Sequence, residues 1–356
     1  MAKPELRFRS DGTFRILQLT DLHLVDVAGR DAVLLSRIPE LIAREQPDLI
    51  ALTGDIACDG SAADMVEQFS TLYHAMEPAG VPITMTLGNH ESDPASDGSC
   101  RQHLLADALE ALPLCLFERG PAELGVGNYA VPIFPHTGDK RPAWMLYHID
   151  CHSGEDEPLP DAFAVHKDAP VRPSQIAWLQ QTHRALQDTY GAVPALLFDH
   201  VPLPEFDDLW MFEGFHGDLG ERVCRPPINT GLFSALLQLQ DVRGVFAGHD
   251  HTNSCSGEVF GILLAYGRCS GNLGWCLWPH PHALQSEALP HPTDGRPPFP
   301  DCFERGGRVI DLNEATGRIE RTYITCYDPI SEAEGWTPPR FTRSRFLPSA
   351  DAFARE

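Results

Sequence analysis

Five short apolar runs, each ending in a burst of polar residues, constrain this chain more than any other feature. They are FRILQLT before Asp21, DLIALTG before Asp55, VPITMTLG before Asn89, VPALLFD before His200 and VRGVFAG before His249. Each is rich in Val, Ile, Leu, Phe or Thr and has the length of a buried strand. Helical patterns separate the first three. Apolar positions recur at three and four residues across 31–45, while 61–78 opens on SAAD, an N-cap with an acidic residue three places on, and closes on Pro78, Ala79 and Gly80. Further helices are predicted around 99–112, at 174–190 and at 231–240. Strands alternating with helices predict an α/β fold with a largely parallel sheet, and such sheets gather their ligands outside the carboxyl ends of the strands. All five polar bursts sit at such ends.

The rest of the chain follows other patterns. GVGNYAVPIF and RPAWMLYHID, within 125–150, read as a hairpin from a second sheet, and 259–275 and 307–327 share that character. From Pro279 to Pro300 the chain is rich in Pro and His with little periodicity, which reads as a long loop. No internal repeat or linker is evident. The expected organisation is one domain over 1–328, with a loop insertion about 276–305, followed by an irregular C-terminal tail at 329–356.

Composition narrows the function. The net charge of −23, from 27 basic and 50 acidic residues, repels nucleic acid and anionic lipid, so neither is expected as a partner. An anionic substrate would then need positive charge from outside the sequence, such as a metal. No apolar stretch is long enough for a membrane span, and the polar start MAKPELRFRSDGT lacks a secretory h-region. A cytoplasmic protein is expected. Its ten scattered cysteines, none in a CxxC pair, are expected to be reduced.

The polar bursts supply Asp21 and His23, Asp55, Asn89, His200, and His249 with His251. In an extended chain, side chains at i and i+2 point the same way, so each pair is expected to face one point while Asp250 turns away. Together they offer two carboxylates, one amide oxygen and four imidazoles, hard or borderline ligands without thiolate. Seven ligands exceed one tetrahedral zinc and suit two metals sharing a carboxylate. Asp55, which has no second ligand beside it, is the natural bridge. Glu91 and Asp199 are placed to orient ligand imidazoles. Arg268 and Tyr266, after the last burst, are candidate contacts to a substrate phosphate. His280, His282 and His291 are candidates for a third metal, and Trp275, Trp278 and Phe299 for an aromatic lid.

The ordered motifs DLH, GD, GNHE, a lone His and GHDH resemble the calcineurin-like metallophosphoesterase superfamily over residues 14 to about 270. GHDHTNSCSG and AYGRCSG more narrowly resemble the branch related to purple acid phosphatases and a fungal cell-cycle phosphatase. The resemblance implies a four-layer fold of two mixed β-sheets packed as a sandwich and flanked by helices. It implies one metal on Asp21, His23, Asp55 and His251 and another on Asp55, Asn89, His200 and His249. It implies that His90 is catalytic, steadying phosphoryl oxygens or protonating the leaving group. Purple acid phosphatases carry a metal-binding tyrosine three residues after the GD aspartate. Here Cys58 takes that place and the first motif supplies His23 instead.

The activity implied is hydrolysis of a small phosphate monoester by a hydroxide bridging two ions of Mn, Fe or Zn. A phosphodiesterase acting on a nucleotide or phospholipid headgroup is the nearest alternative. A phosphate-binding or scaffold protein without turnover is the alternative from another class.

Overall fold

The alternating pattern resolves into two mixed sheets flanked by helices. In a five-stranded sheet, β2 (Thr13–Leu19), β3 (Leu49–Thr53) and β4 (Ile83–Thr86) run parallel, and the hairpin of β11 (Gly306–Asn313) and β12 (Arg318–Cys326) adds to β2 in antiparallel fashion. The seven-stranded sheet runs β1 (Leu6–Arg7), β5 (Tyr129–Phe134), β6 (Trp144–His148), β7 (Ala195–Phe198), β8 (Val242–Ala247), β10 (Ile262–Tyr266) and β9 (Ser256–Val259). The computed structural model describes residues 3–25, 27–28, 31–57, 60–93, 101–152, 168–212, 214–219, 221–271 and 305–327.

The five strands that end in polar bursts are therefore split, three in one sheet and two in the other. The hairpins do not make a second sheet of their own, as the sequence suggested. Their burial explains why. All five residues of β6 are buried, so it needs cover on both faces and pairs in parallel with β7; β5 alternates between buried and half-buried residues and lies further out. Likewise β10 pairs in parallel with β8 and carries β9 on its other side.

Between the sheets, Ile16, Ile310 and Leu312 from one side join Phe198, Phe246 and Ala265 from the other in a single apolar cluster. That cluster continues outward to α1 (Ala32–Glu45), α2 (Ala62–Met76) and α4 (Arg101–Ala111). A second cluster seats α5 (Pro173–Tyr190) and α6 (Leu232–Leu239) on the seven-stranded sheet. The helix starts follow local chemistry. Asp64 N–H donates to the Ser61 hydroxyl at 3.2 Å while Asp64 accepts from Ser61 N–H at 2.7 Å, so two free donors at the head of α2 are satisfied.

No helix among the described residues is long and apolar enough to cross a membrane. Cys115, Cys151, Cys224, Cys255, Cys269 and Cys326 are free thiols. The expected insertion about 276–305 lies outside the described residues except for Arg305, and so do the tail, Cys58, the Pro-rich-loop histidines and the aromatic residues expected to form a lid.

Candidate metal centre

The carboxyl ends of β2, β3, β4, β7 and β8 bring the polar bursts together, because parallel strands in both sheets end at one edge. Asp21, His23 and His251 form one group of ligand atoms, Asp55, His200 and His249 a second, and His23, Asp55 and His90 a third. In the first, His23 Nε2 is 2.9 Å from His251 Nε2, and Asp21 Oδ1 is 3.5 Å from His251 Nε2 and 3.9 Å from His23 Nε2. Asp55 Oδ2 lies 3.8 Å from His23 Nε2 and 3.1 Å from His200 Nε2, which puts one oxygen between the groups. A first-row metal with bonds of ~2.1 Å sets its ligand atoms roughly 3–3.5 Å apart, so these spacings suit a metal with little rearrangement. Asn89, the first residue of α3 (Asn89–Ser92), has an Oδ1 shut off from solvent without a hydrogen-bond partner, as a ligand awaiting a cation would.

Of the two pairs, Asp21 and His23 share one group as expected, but the second pair does not. His249 and His251 lie beyond the end of β8, and they join different groups instead of facing one point. Asp21, His23, Asp55 and His249 all adopt left-handed backbone, with φ of 54°, 47°, 52° and 72°. Such conformations are strained for residues with a Cβ, and four together mark a site held in place by its surroundings. Asp250 does turn away; it accepts the Tyr266 hydroxyl at 2.6 Å and the Asn253 side-chain amide at 3.1 Å.

Neighbouring groups fix His200 and Asp55 among the candidate ligands. His200 Nδ1 lies 2.7 Å from the Thr53 carbonyl, which can only accept, so Nδ1 carries the proton and Nε2 faces Asp55. Burial opposes charge on His200, yet Asp55 wins and raises its pKa to about 10; a metal would displace that Nε2 proton. Burial lowers His23 to about 3, which keeps it neutral. Two glycines allow the close approach. A Cβ on Gly54, at φ +89°, would sit 2.3 Å from His200 Nδ1, and one on Gly88 would sit 2.2 Å from Asp55 Oδ1.

Glu91, expected to orient an imidazole, grips backbone instead. Its buried carboxylate accepts N–H groups from Gly88 at 2.7 Å, Ile56 at 2.8 Å, Asp55 at 2.9 Å and Ala57 at 3.2 Å, tying the GD loop to the GNHE loop. Asp199 likewise accepts the backbone N–H of His200 at 2.8 Å and not its ring, and burial raises its pKa to about 7. The two expected phosphate contacts have partners within the fold. Tyr266 is fully buried with its hydroxyl committed to Asp250, and Arg268 is 6% exposed with its guanidinium 3.7 Å from Asp218.

Two carboxylates that sequence reasoning passed over belong here. Asp93 Oδ2 lies 3.1 Å from His90 Nδ1, leaving His90 Nε2 3.9 Å from Asp55 Oδ2. Burial opposes a charge on this imidazole, but Asp55 and Asp93 raise its pKa to about 9. With its side chain 26% exposed, against 14% or less for the four ligand histidines, His90 is the histidine open to a substrate. Asp168 Oδ1 lies 3.4 Å from His249 Nε2. The i+3 spacing of Asp93 from His90 was a readable signal; Asp168 lies in KDAP, which carries none.

Histidines, carboxylates and an amide oxygen gathered at the strand ends of two facing mixed sheets define a metallophosphoesterase. The chain belongs to the calcineurin-like phosphoesterase family, whose pattern its residues 14–253 match. It is 28% identical over 302 residues to purple acid phosphatase 14 of Arabidopsis thaliana, a protein named "probable inactive", with 76% of this chain and 74% of that one covered. It is also 28% identical over 283 residues to Phosphatase DCR2 of Saccharomyces cerevisiae, covering 70% of this chain and 46% of that protein. A dimetal phosphatase from Danio rerio shares the fold, with a TM-score of 0.51 and 14% identity over 88% of this chain and 99% of its own.

Proposed function

We propose that the chain is a phosphomonoesterase that works with two metal ions, one on Asp21, His23, Asp55 and His251 and one on Asp55, Asn89, His200 and His249. The observation that carries this reading is the single oxygen Asp55 Oδ2, set between the two groups of ligand atoms with His90 alongside. Bound there, ions such as Mn, Fe or Zn supply charge stabilisation for a phosphoryl group and acidify water.

The chain's own residues do the rest. Glu91 and the Thr53 carbonyl hold Asp55 and His200 in place, so little reorganisation is needed when the site fills. Asp93 holds His90 by Nδ1, so the Nε2 proton is the one offered to the leaving oxygen. That imidazolium also offers positive charge to a dianionic monoester. The "probable inactive" name of the Arabidopsis relative belongs to that protein; here every expected ligand and His90 are present.

The test is to strip the metal, restore Mn, Fe or Zn in turn, and compare p-nitrophenyl phosphate with bis-p-nitrophenyl phosphate. Metal-dependent cleavage of the monoester supports the reading. Preference for the diester would make the chain a phosphodiesterase. Two bound equivalents with no cleavage of either would favour a phosphate-binding role without turnover.

A further inference from the structure

The main chain of His90 is held on both sides of its Cα. Its N–H donates to Asp55 Oδ1 at 3.0 Å, and its carbonyl accepts from Arg101 Nη1 at 3.3 Å. The other terminal nitrogen of Arg101, Nη2, donates to the Gly60 carbonyl at 2.6 Å. Gly60 closes GDIACDG, the stretch that supplies Asp55. One guanidinium at the head of α4 therefore ties the loop of Asp55 to the loop of His90.

This tie has the form of a positioning device. Arg101 is 7% exposed, and its two partners lie 11 and 41 residues away in the chain. Glu91 joins the same two loops through their N–H groups, whereas Arg101 joins them through their carbonyls. The neighbouring residue strengthens the grip: the Gln102 side-chain amide donates to the Ser92 hydroxyl, which itself donates to the Gly88 carbonyl at 3.2 Å. A guanidinium presents its donors in a rigid planar fork, so two carbonyls bound to one fork are held at a fixed spacing. Asp93 orients the His90 ring, but that orientation serves the site only if the backbone beneath it stays in place. A shift of about 1 Å in a catalytic group can cost roughly 10²-fold in rate.

We propose that Arg101 is a positioning residue, holding the His90 carbonyl against the Gly60 carbonyl and so setting the place of the His90 ring beside Asp55. The effect on turnover rests on the phosphomonoesterase reading; the placement of the ring does not.

NMR of the zinc-loaded protein labelled with ¹⁵N-histidine reads that placement without turnover, the ring signals missing from His90→Ala being those of His90. Arg101→Met should shift or broaden them and leave the other ring signals in place. Arg101→Lys should move them too, because it keeps the charge but offers two carbonyls a single point. Unmoved His90 signals overturn the proposal. Kinetics on p-nitrophenyl phosphate reads the consequence: in Arg101→Met, kcat should fall roughly 10²-fold with KM and metal content unchanged. Combined with His90→Ala, the same substitution should cost nothing further, since both act through one ring. An unchanged kcat, or an equal loss in both backgrounds, overturns the proposal. If Arg101→Met fails to fold, Arg101→Lys carries both measurements. If the His90 signals move but the wild type cleaves no ester, the phosphomonoesterase reading fails and the placement by Arg101 stands.

Discussion

The carboxylate of Asp168 lies 3.4 Å from Nε2 of His249, a contact to the metal centre that comes from outside every motif. Metal-binding imidazoles gain basicity and a fixed orientation from a carboxylate on their other nitrogen. Burial opposes ionisation of Asp168, but His249 outweighs it and holds the acid below its ordinary range. Asp168→Asn should therefore lower metal affinity roughly 10- to 100-fold. Chelator competition measures this, and an unchanged affinity would remove Asp168 from the centre.

Glu91→Gln tests the tie between the two loops. The carboxylate receives four backbone N–H groups, whereas an amide offers one acceptor oxygen and turns its own N–H groups toward donors. The variant should lose about 3 kcal/mol of stability. Urea unfolding of the metal-free protein would show it; a loss under half that size would mean that the loops hold each other by other means.

The fold and the gathering of the candidate ligands were largely legible in the sequence. The strand runs were readable because most of their residues are buried on both faces, all of them in β3 and β4, which leaves a nearly continuous apolar signature. The assignment of strands to sheets was not, since β6 joins β7 through burial that its sequence shares with any core strand. The ligands were readable as residue types at strand ends. Their geometry was not, because left-handed backbone at Asp21, His23 and His249 replaced the extended chain assumed for the i, i+2 pairs. Glu91 stands out as the acid of GNHE, yet its partners are backbone donors, which no side-chain pattern reveals. Asp168 meets His249 across 81 residues of chain, a long-range contact that no single sequence encodes locally.

His90→Ala should keep its metals and lose turnover by roughly 10²- to 10⁴-fold, because the side chain is the most exposed of the site histidines and is not among the proposed ligands. Asp93→Asn should fall between that variant and wild type, since the ring survives but its Nδ1 partner is weakened. Metal content by elemental analysis and kcat on p-nitrophenyl phosphate decide both. Loss of metal from His90→Ala would recast the residue as structural.

His148 links the inter-sheet core to pH. Its ring stacks between Tyr129, at 4.5 Å and 8°, and Phe198, at 5.2 Å and 15°, while Nδ1 lies 2.8 Å from the Thr86 hydroxyl. Burial lowers its pKa from an ordinary 6.5 to about 3, so the folded protein keeps the ring neutral where the unfolded chain would protonate it. The stability tied to this neutral ring is fully present above pH 6.5. It is lost as the pH falls from there toward 3, by up to about 1.4 kcal/mol per pH unit, because the unfolded state binds the extra proton. His148→Phe keeps a stacked aromatic ring and removes the titration. The variant starts less stable at pH 7.5, where the Thr86 hydroxyl has lost its partner, but its stability should fall less steeply with acid. Urea unfolding at steps from pH 7.5 to 4.5, with metal chelated so that ligand release does not contribute, compares the two slopes. Parallel slopes would show that His148 takes up a proton in the folded state, and that the core around it admits charge.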